Sequence, residues 1–395
     1  MRILETALFP PHAMSGGGLV VLQSVQSLAS FADVDLICGE GPDVQLPDNV
    51  RRIGLLTHAH VSLSRLRILL FQHRYNGYVG SMQKIEQSTD LSQYDVFHAE
   101  GSSSPIGIDT AVRLGKPVIV RLHNIERDVE WNALHQQGLT PVQKVKRYLK
   151  SWLPTIVCER RVMSMRGNVM FAFLTERDLQ RAMALYAVPR EQSIVIPVCV
   201  PGKEVDLSEK NPEEPFTVLF TGSFWYHPNK EGLVWFIEQV WSGFRKKYPS
   251  RNCRLVLAGY QPDAELLDLC RKYGIDLVDS PADLGPYFQE ADLCVAPLLS
   301  GAGMKVKVAD ALSWGVPVLG TEEALIGYEV DNDSVIQADS AQEFIEALER
   351  CTVSRLTPEK KQRALSLWRD NYSPQESCRL YKEAVERLLS KENFR

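Results

Sequence analysis

The chain has 395 residues, more than a single hydrophobic core usually holds, so two domains are expected. Hydrophobic residues make up 45% and charged residues 24% of the sequence, which is typical of a globular protein and excludes a disordered one. The formal net charge is −5, and residues 1–200 carry 21 Lys+Arg against 18 Asp+Glu. This balance is not that of a nucleic-acid-binding protein, and no nucleic-acid partner is expected.

Targeting and metal-binding signals are weak throughout the sequence. No apolar run approaches the roughly 18 residues of a transmembrane helix, and the N-terminal MRILETALFPPH lacks a small-residue cleavage site. The eight cysteines are scattered without a CxxC pair, which favours reduced thiols in a cytoplasmic protein. The two DxD patterns, at 33–35 and 331–333, are interpreted as part of a strand and an acidic turn. No metal site is predicted.

The N-terminal segment has the pattern of a Rossmann-like start. A strand is predicted over Arg2–Phe9, a glycine turn leads into a helix over Leu19–Phe31, and a second strand follows over Val34–Cys38. The glycines do not match GxGxxG, so a nicotinamide cofactor is disfavoured. From the residues alone, Gly16 and Gly17 are interpreted as part of a tight turn.

Two further strands lead to a candidate histidine. Residues 51–84 are predicted to be irregular, and strands are predicted over Tyr94–His98 and Pro117–Leu122. His123 then lies at the carboxyl end of a strand, where open α/β sheets bind ligands. A lone histidine is more often structural, so position alone leaves both roles open.

The segment 141–167 is strongly basic, with Lys144, Lys146, Arg147 and Lys150 interleaved with apolar residues. A basic amphipathic helix can lie on an anionic lipid surface. The alternative is a solvated charged face over an ordinary core stripe. Strands over 169–175 and 193–198 are predicted to complete the first sheet, and the proline-rich and charged residues 200–215 are predicted to be a linker.

The second half alternates strands with helices, which predicts a parallel, doubly wound sheet. Strands are predicted over 216–220, 254–259, 275–278 and 292–295, with Thr221, Gly222 and Ser223 forming a turn after the first of them. Two terminal helices are predicted over Pro358–Asn371 and Pro374–Leu389.

The segment PLLSGAGMKVKVADALSWGVPVLGT, residues 297–321, concentrates the chemistry. It predicts the end of a strand, a glycine loop, a helix over Met304–Trp314 and another strand. The first turn of a helix offers unpaired backbone N–H groups that suit a phosphate. Lys305 and Lys307 add two cations there, and Asp310 adds an acceptor for hydroxyl groups.

Three of these segments carry a family resemblance. The order G-x-K-x-K-x-x-D-A in 303–311, the run RLHNIE at 121–126 and the run FTGSFWYHPN at 220–229 resemble retaining glycosyltransferases of the bacterial family four. The resemblance implies the α/β GT-B fold, with two Rossmann-like doubly wound parallel-sheet domains facing across a cleft. The implied domains are 1–199 and 216–372, with residues 373–395 forming a terminal helix that packs back on the first domain.

The resemblance also implies residue roles. Lys305 and Lys307 would hold the diphosphate of a nucleotide sugar, and His123 would face the donor sugar and the acceptor hydroxyl. The implied donor-binding residues are Gly16, Gly17, Gly222, Ser223, Gly303 and Asp310, the last of which would bind the ribose. Lys305 stands where Arg is commoner and Asp310 where Glu is commoner, while Ala302 replaces a glutamate that often contacts the sugar.

The implied activity is transfer of a hexose, with retention, from a nucleoside-diphosphate sugar to a hydroxyl of a growing glycan or lipid-linked saccharide. Neither a cofactor nor a metal is expected, because fixed cations and a helix N-terminus can stabilise the departing diphosphate. Polysaccharide biosynthesis in the cytoplasm, with peripheral contact at the inner membrane face, is the expected setting. The alternatives are a sugar-nucleotide epimerase of the same fold and a non-catalytic scaffold in polysaccharide assembly.

Overall fold

The structure, a computed structural model, describes residues 1–12, 16–42, 44–57, 79–101, 107–135, 139–301 and 303–390. These residues form two compact units. The first consists of Met1–Val198 together with the segment that begins at Ser377, and the second of Cys199–Glu376.

The first unit contains a seven-stranded sheet within the described residues. Its strands are β1 Arg2–Ala7, β2 Asp33–Gly39, β3 Val50–Leu56, β4 Val96–Glu100, β5 Val118–Leu122, β6 Val169–Phe173 and β7 Ser193–Val195. They run in the order β3-β2-β1-β4-β5-β6-β7, and every recorded pairing is parallel. The order reverses between β1 and β4, so this sheet has its topological switch point there.

The second unit repeats this plan with six strands in its described part. They are β8 Phe216–Ser223, β9 Cys253–Tyr260, β10 Asp276–Asp279, β11 Leu293–Ala296, β12 Val318–Gly320 and β13 Val335–Gln337. The order is β10-β9-β8-β11-β12-β13, again parallel in every recorded pair. The switch point lies between β8 and β11. The predicted fold of two doubly wound parallel-sheet units is therefore confirmed.

Helices alternate with the strands in both units. In the first unit they span Gly16–Ala29, Val79–Ser88, Ile108–Arg113, Glu126–Leu134, Pro141–Arg147, Leu153–Met163 and Glu176–Tyr186, with a π-helical turn at Tyr148–Trp152. In the second they span His227–Trp235, Ser242–Lys247, Ala264–Tyr273, Gly285–Glu290, Val306–Ser313, Ala341–Ser354 and Pro358–Asn371, with a π-helical turn at Phe236–Trp241. The last helix is Pro374–Leu389. Among the described residues, no helix combines the length and apolar composition needed to cross a bilayer.

The central strands of both sheets are buried on both faces, as is usual in parallel sheets. Strands β4, β5 and β6 consist entirely of buried residues. In the first unit the last helix covers part of the sheet: the Tyr381 hydroxyl lies 2.7 Å from the Ser24 hydroxyl, and the Ser377 hydroxyl 2.9 Å from that of Ser27. Polar pairs within this otherwise apolar contact fix the position of the last helix.

The structure corrects three of the predicted elements. Residues 51–84 were predicted to be irregular, yet Val50–Leu56 forms edge strand β3, because it pairs with β2 and Arg51 binds Asp35. Gly222 and Ser223 end strand β8 rather than forming a turn. The strand predicted over 94–98 is shifted to β4, since a 3₁₀ turn precedes it. Residues 79–84 of the same segment are also ordered, since they belong to the helix Val79–Ser88, and residues 58–78 lie outside the described residues.

The first DxD pattern, at 33–35, stabilises the fold through hydrogen bonds of Asp35. The carboxylate of Asp35 is buried and accepts hydrogen bonds from Arg2, Arg51 and Tyr94 at 2.9, 2.8 and 2.7 Å. Burial alone would raise the pKa of Asp35, but these three donors lower it. In the second pattern, Asp331 accepts backbone N–H bonds from residues 333, 334 and 335. Both patterns therefore hold backbone and side chains in place.

Candidate active site

The lysine segment lies at the switch point of the second sheet. Strand β11 ends at Ala296, the loop that follows contains Gly303, and the helix Val306–Ser313 begins directly after Lys305. Gly303 has a φ of 65°, a left-handed conformation that favours glycine. The helix begins two residues later than predicted, so Lys305 caps it and Lys307 lies in its first turn. Ala302 lies outside the described residues.

Lys307 is held by neutral groups. Its Nζ donates a hydrogen bond to Oδ1 of Asn229 at 2.9 Å and lies 4.0 Å from the centre of the Phe220 ring. The described residues offer it no carboxylate partner. Burial, together with the neighbouring charge of Lys305, lowers the pKa of Lys307 to about 7. A half-buried cation without a counter-charge favours an anionic ligand.

Gly222 has no side chain, and the Lys307 amine lies next to the position that a Cβ would fill. A Cβ on Gly222 would lie 3.0 Å from the Lys307 Nζ and 3.0 Å from the Asn229 Nδ2, and its φ is 144°. Asn229 is buried, and its Nδ2 donates to the carbonyl of Ser223 at 2.8 Å. Gly222, Ser223 and Lys307 therefore meet at the carboxyl edge of β8, through an asparagine to which no site role was assigned from the sequence.

Lys305 has different surroundings from Lys307. Its Nζ donates to the Gly303 carbonyl at 2.6 Å and lies 3.4 Å from the carboxylate of Glu323. The Tyr328 hydroxyl donates to the Lys305 carbonyl at 2.7 Å and accepts from the backbone N–H of Ala309 at 3.2 Å. Tyr328 thus fixes the start of the helix, and Glu323 offsets part of the charge of Lys305. Neither residue was predicted from the sequence.

Asp310 lies one turn further along the same helix. Its side chain is half-buried, and the described residues offer its carboxylate no hydrogen-bond donor. Burial raises the pKa of Asp310, while Lys203 acts in the opposite direction. This acceptor has the chemistry that a ribose hydroxyl requires, although the assigned role itself stays a prediction.

The first unit contains a second polar cluster, at the carboxyl ends of β4 and β5. His123, directly after β5, places its Nε2 2.5 Å from Oε2 of Glu100, the last residue of β4. His98 on β4 pairs through Nδ1 with Glu5 on β1. Arg121 on β5 is buried beside them, with its guanidinium 5.7 Å from the centre of the Tyr381 ring. The sequence placed His123 at a strand end but did not predict these partners.

The two carboxyl groups of this cluster have widely separated pKa values. Burial raises the pKa of Glu5 to about 7 against the opposing effect of His98. Burial acts the same way on Glu100, but His123, His98 and Arg121 outweigh it and lower the pKa of Glu100 to about 2. Glu100 is therefore ionised beside His123 at neutral pH, whereas Glu5, which pairs with His98, is protonated more readily than an exposed carboxyl group.

The same cluster has the composition of a metal site. Glu5, His98 and Glu100 each offer a ligand atom, and these atoms lie within 4.8 Å of one another. Several of their buried polar atoms lack a hydrogen-bond partner within the described part of the chain, as do Nε and Nη1 of Arg121. Because the buried guanidinium of Arg121 already acts on His98 and Glu100, we interpret the cluster as a buried network of paired charged groups.

Glu126 adds another titratable group three residues after His123. Burial and the charge of Glu159 raise the pKa of Glu126 to about 7. Glu159 is itself fixed, since it accepts the backbone N–H of Glu126 at 2.8 Å and the hydroxyl of Tyr186 at 2.6 Å. The RLHNIE run thus supplies a histidine and, three residues later, a buried carboxyl group with a raised pKa.

The glycines near the N-terminus lie in a helix. Gly16 and Gly17 form its first turn, so the tight turn predicted at these positions is wrong, because the helix begins earlier than Leu19. A Cβ on Gly16 would meet nothing within 4 Å, whereas one on Gly18 would lie 2.6 Å from the His12 ring. Space therefore demands glycine at Gly18, and the donor-binding roles of Gly16 and Gly17 stay a prediction.

Residues 215–353 match the family described as Glycosyl transferases group 1. The matched residues lie within the second unit. The chain is 24% identical over 324 residues to a Klebsiella pneumoniae protein described as an "Uncharacterized 44.6 kDa protein in cps region", covering 77% of this chain and 78% of that protein. The resemblance predicted from the sequence is thereby confirmed.

Solved structures share the fold of the whole chain. One is WaaG, a glycosyltransferase involved in lipopolysaccharide biosynthesis, with a TM-score of 0.63 at 14% identity, covering 98% of this chain and 100% of that chain. Another is Anabaena HepE in complex with UDP, with a TM-score of 0.60 at 13% identity and the same coverage. The chain therefore has the GT-B fold.

Proposed function

We propose that the protein transfers a hexosyl group from a nucleoside-diphosphate sugar to an acceptor hydroxyl, with retention at the anomeric carbon. The observation that carries the proposal is Lys307, a half-buried cation that neutral groups position beside a helix N-terminus at a sheet switch point. Ligands of doubly wound sheets bind at such points, and phosphates bind at helix N-termini. The match to group 1 glycosyltransferases over 215–353 supports the same conclusion.

The reaction depends mainly on stabilisation of the leaving diphosphate. The bond between the anomeric carbon and the β-phosphate oxygen breaks, and its electron pair stays on the diphosphate. The acceptor oxygen forms the new bond to that carbon, and its proton passes to the diphosphate oxygen that carries the released electron pair. Lys307, Lys305 and the helix N–H groups stabilise the negative charge that develops on the diphosphate.

UDP is the first nucleotide to test, and a surface saccharide is the first acceptor class. HepE, which shares the fold, has been solved with UDP and with UDP-glucose. The Klebsiella relative is described by its place in a cps region, and WaaG by its part in lipopolysaccharide biosynthesis. A saccharide or lipid-linked saccharide is accordingly the acceptor that we propose.

Thermal-shift measurements with UDP, GDP, ADP, dTDP and NAD test the donor class. A ligand at about 100 times its Kd stabilises the folded state by roughly 2.7 kcal/mol. We expect one nucleoside diphosphate to raise the Tm of the native protein, and Lys307→Ala to remove most of that shift. Stabilisation by NAD alone, or by none of the nucleotides, would overturn the proposal.

The affinity for the donor is expected to depend on pH through Lys307. In the free protein the pKa of Lys307 is about 7, and a bound diphosphate raises it by favouring the charged amine. Below pH 7 the amine is already protonated and the affinity is at its plateau. Above pH 7 binding requires proton uptake, so the affinity falls by up to about tenfold per pH unit.

A calorimetric titration with UDP-glucose measures this dependence, because its diphosphate diester keeps a constant charge near neutrality. Heats measured in buffers of different ionisation enthalpy give the number of protons taken up. Lys307→Arg is the matched control, since arginine stays charged and should flatten the pH profile. An unchanged slope in that variant would assign the titration to another group.

A further inference from the structure

The helix Pro141–Arg147 and the turn that follows it, Tyr148–Trp152, present an apolar stripe to solvent. No residue of the helix is buried. Val142 is 77% exposed, Val145 60% and Leu149 55%. The interpretation of this segment as a solvated face over a core stripe is therefore wrong between 142 and 149, because the stripe itself is outside.

The helix is ordered before it meets any partner. Thr140 and Gln143 form a reciprocal capping box, with the Thr140 N–H donating to Oε1 of Gln143 at 2.8 Å, and Pro141 occupies the first turn. The Nε of Arg147 lies 3.4 Å from the carboxylate of Glu130 on the neighbouring helix. Arg147 thus points toward the body of the unit.

Helical geometry places the apolar stripe away from that body. At about 100° per residue, Val142, Val145 and Leu149 share a sector roughly opposite Arg147. Lys146 lies about 40° from this sector on one side and Lys144 about 100° from it on the other, and both are exposed. The surface is an apolar stripe with exposed cations at unequal distances on its two sides, on the outward face of an anchored helix.

Aromatic rings extend the stripe toward the body of the unit. Tyr148, which is exposed, stacks on Trp152 with ring centres 4.7 Å apart, and Trp131 lies 5.8 Å from Trp152. Trp131 is 47% exposed. Tyrosine and tryptophan favour the boundary between lipid headgroups and acyl chains.

From this arrangement we infer that the face formed by Val142, Lys144, Val145, Lys146 and Leu149 docks on an anionic lipid bilayer. The aliphatic side chains would enter the headgroup boundary while the lysines meet lipid phosphates. A second copy of the chain would bring like charges together, and nucleic acid offers no place for three exposed aliphatic side chains. The chain as a whole carries a net charge of −5, whereas the segment 141–149 contains three cations and no acidic residue. The inference does not depend on the proposed glycosyltransferase activity.

Sedimentation of the full chain with vesicles tests the inference. We expect the protein to bind vesicles that contain phosphatidylglycerol, and to bind pure phosphatidylcholine at least about tenfold more weakly. V145E/L149E should lower the affinity for the anionic vesicles by at least about tenfold, and so should K144E/K146E. The matched controls are V353E, which changes an exposed valine of the other unit, and K246E/K247E, which changes two exposed lysines there.

The outcomes separate the possible occupants of the face. The four residues altered in V145E/L149E and K144E/K146E are exposed, so each variant should keep the Tm of the native protein. If one of the two variants fails to fold, the other still tests the inference. Undiminished binding by V145E/L149E and K144E/K146E, or no binding to either vesicle, would overturn the inference. Concentration-dependent self-association that V145E/L149E abolishes would instead assign the face to a second copy. A blue shift of tryptophan emission on anionic vesicles, lost in W131F, should accompany binding.

Discussion

Replacing Lys307 by alanine is expected to lower kcat/KM for the nucleotide sugar by about 10²–10³-fold. Removing one preorganised charge stabiliser typically costs about 2.7–4 kcal/mol in the transition state. Lys307 meets the conditions for such an effect, because Asn229 and the Phe220 ring hold it in place and no carboxylate of the described residues neutralises it. Initial rates of nucleoside-diphosphate release in the presence of acceptor measure the loss.

Comparison with three other variants separates charge from fold. Lys305→Ala should cost less than Lys307→Ala, since Glu323 already offsets the charge of Lys305. Lys307→Arg should recover part of the rate, and Lys246→Ala, on the exposed helix Ser242–Lys247, should leave it unchanged. Turnover close to that of the native protein in Lys307→Ala, with an unchanged Tm, would refute the diphosphate assignment.

Replacing His123 by alanine is expected to lower kcat by about 10²-fold or more. The resemblance implies that this histidine faces the reacting groups, and groups that take part in proton transfer or direct polar contact contribute on this scale. Added imidazole should restore part of the activity of His123→Ala. A variant with native kcat would show that His123 serves the fold of the first unit alone.

Glu100 is expected to act as a positioning residue for His123. Its carboxylate lies 2.5 Å from Nε2 of His123, and the pKa of about 2 keeps it ionised. Glu100→Gln removes the charge that orients the ring and should lower kcat by up to about 10²-fold, with little change in KM for the nucleotide sugar. Because Arg121 loses a counter-charge in this variant, Tm should be measured alongside. A His123→Ala/Glu100→Gln double variant that loses no more activity than His123→Ala alone would confirm that Glu100 acts through His123.

Local patterns in the sequence determined the order of elements and part of the candidate site. Pro358–Asn371 and Pro374–Leu389 were predicted with the bounds that the structure has, since apolar periodicity and a proline in the first turn are local signals. The lysine segment was found for the same reason. Its loop, its two cations and its acid are contiguous, so one strand-loop-helix unit brings them together.

Only the tertiary structure decided which partners those residues have. Asn229 lies 78 positions from Lys307, and Glu323 18 positions from Lys305. Glu5, His98 and His123 come from different strands or strand ends, and Tyr381 reaches His98 from the last helix, with ring centres 5.4 Å apart. Strand order and register set these contacts, and neither is encoded in a local pattern of residue types. The tertiary fold therefore decides that Glu323 offsets part of the charge of Lys305, while no carboxylate of the described residues pairs with Lys307.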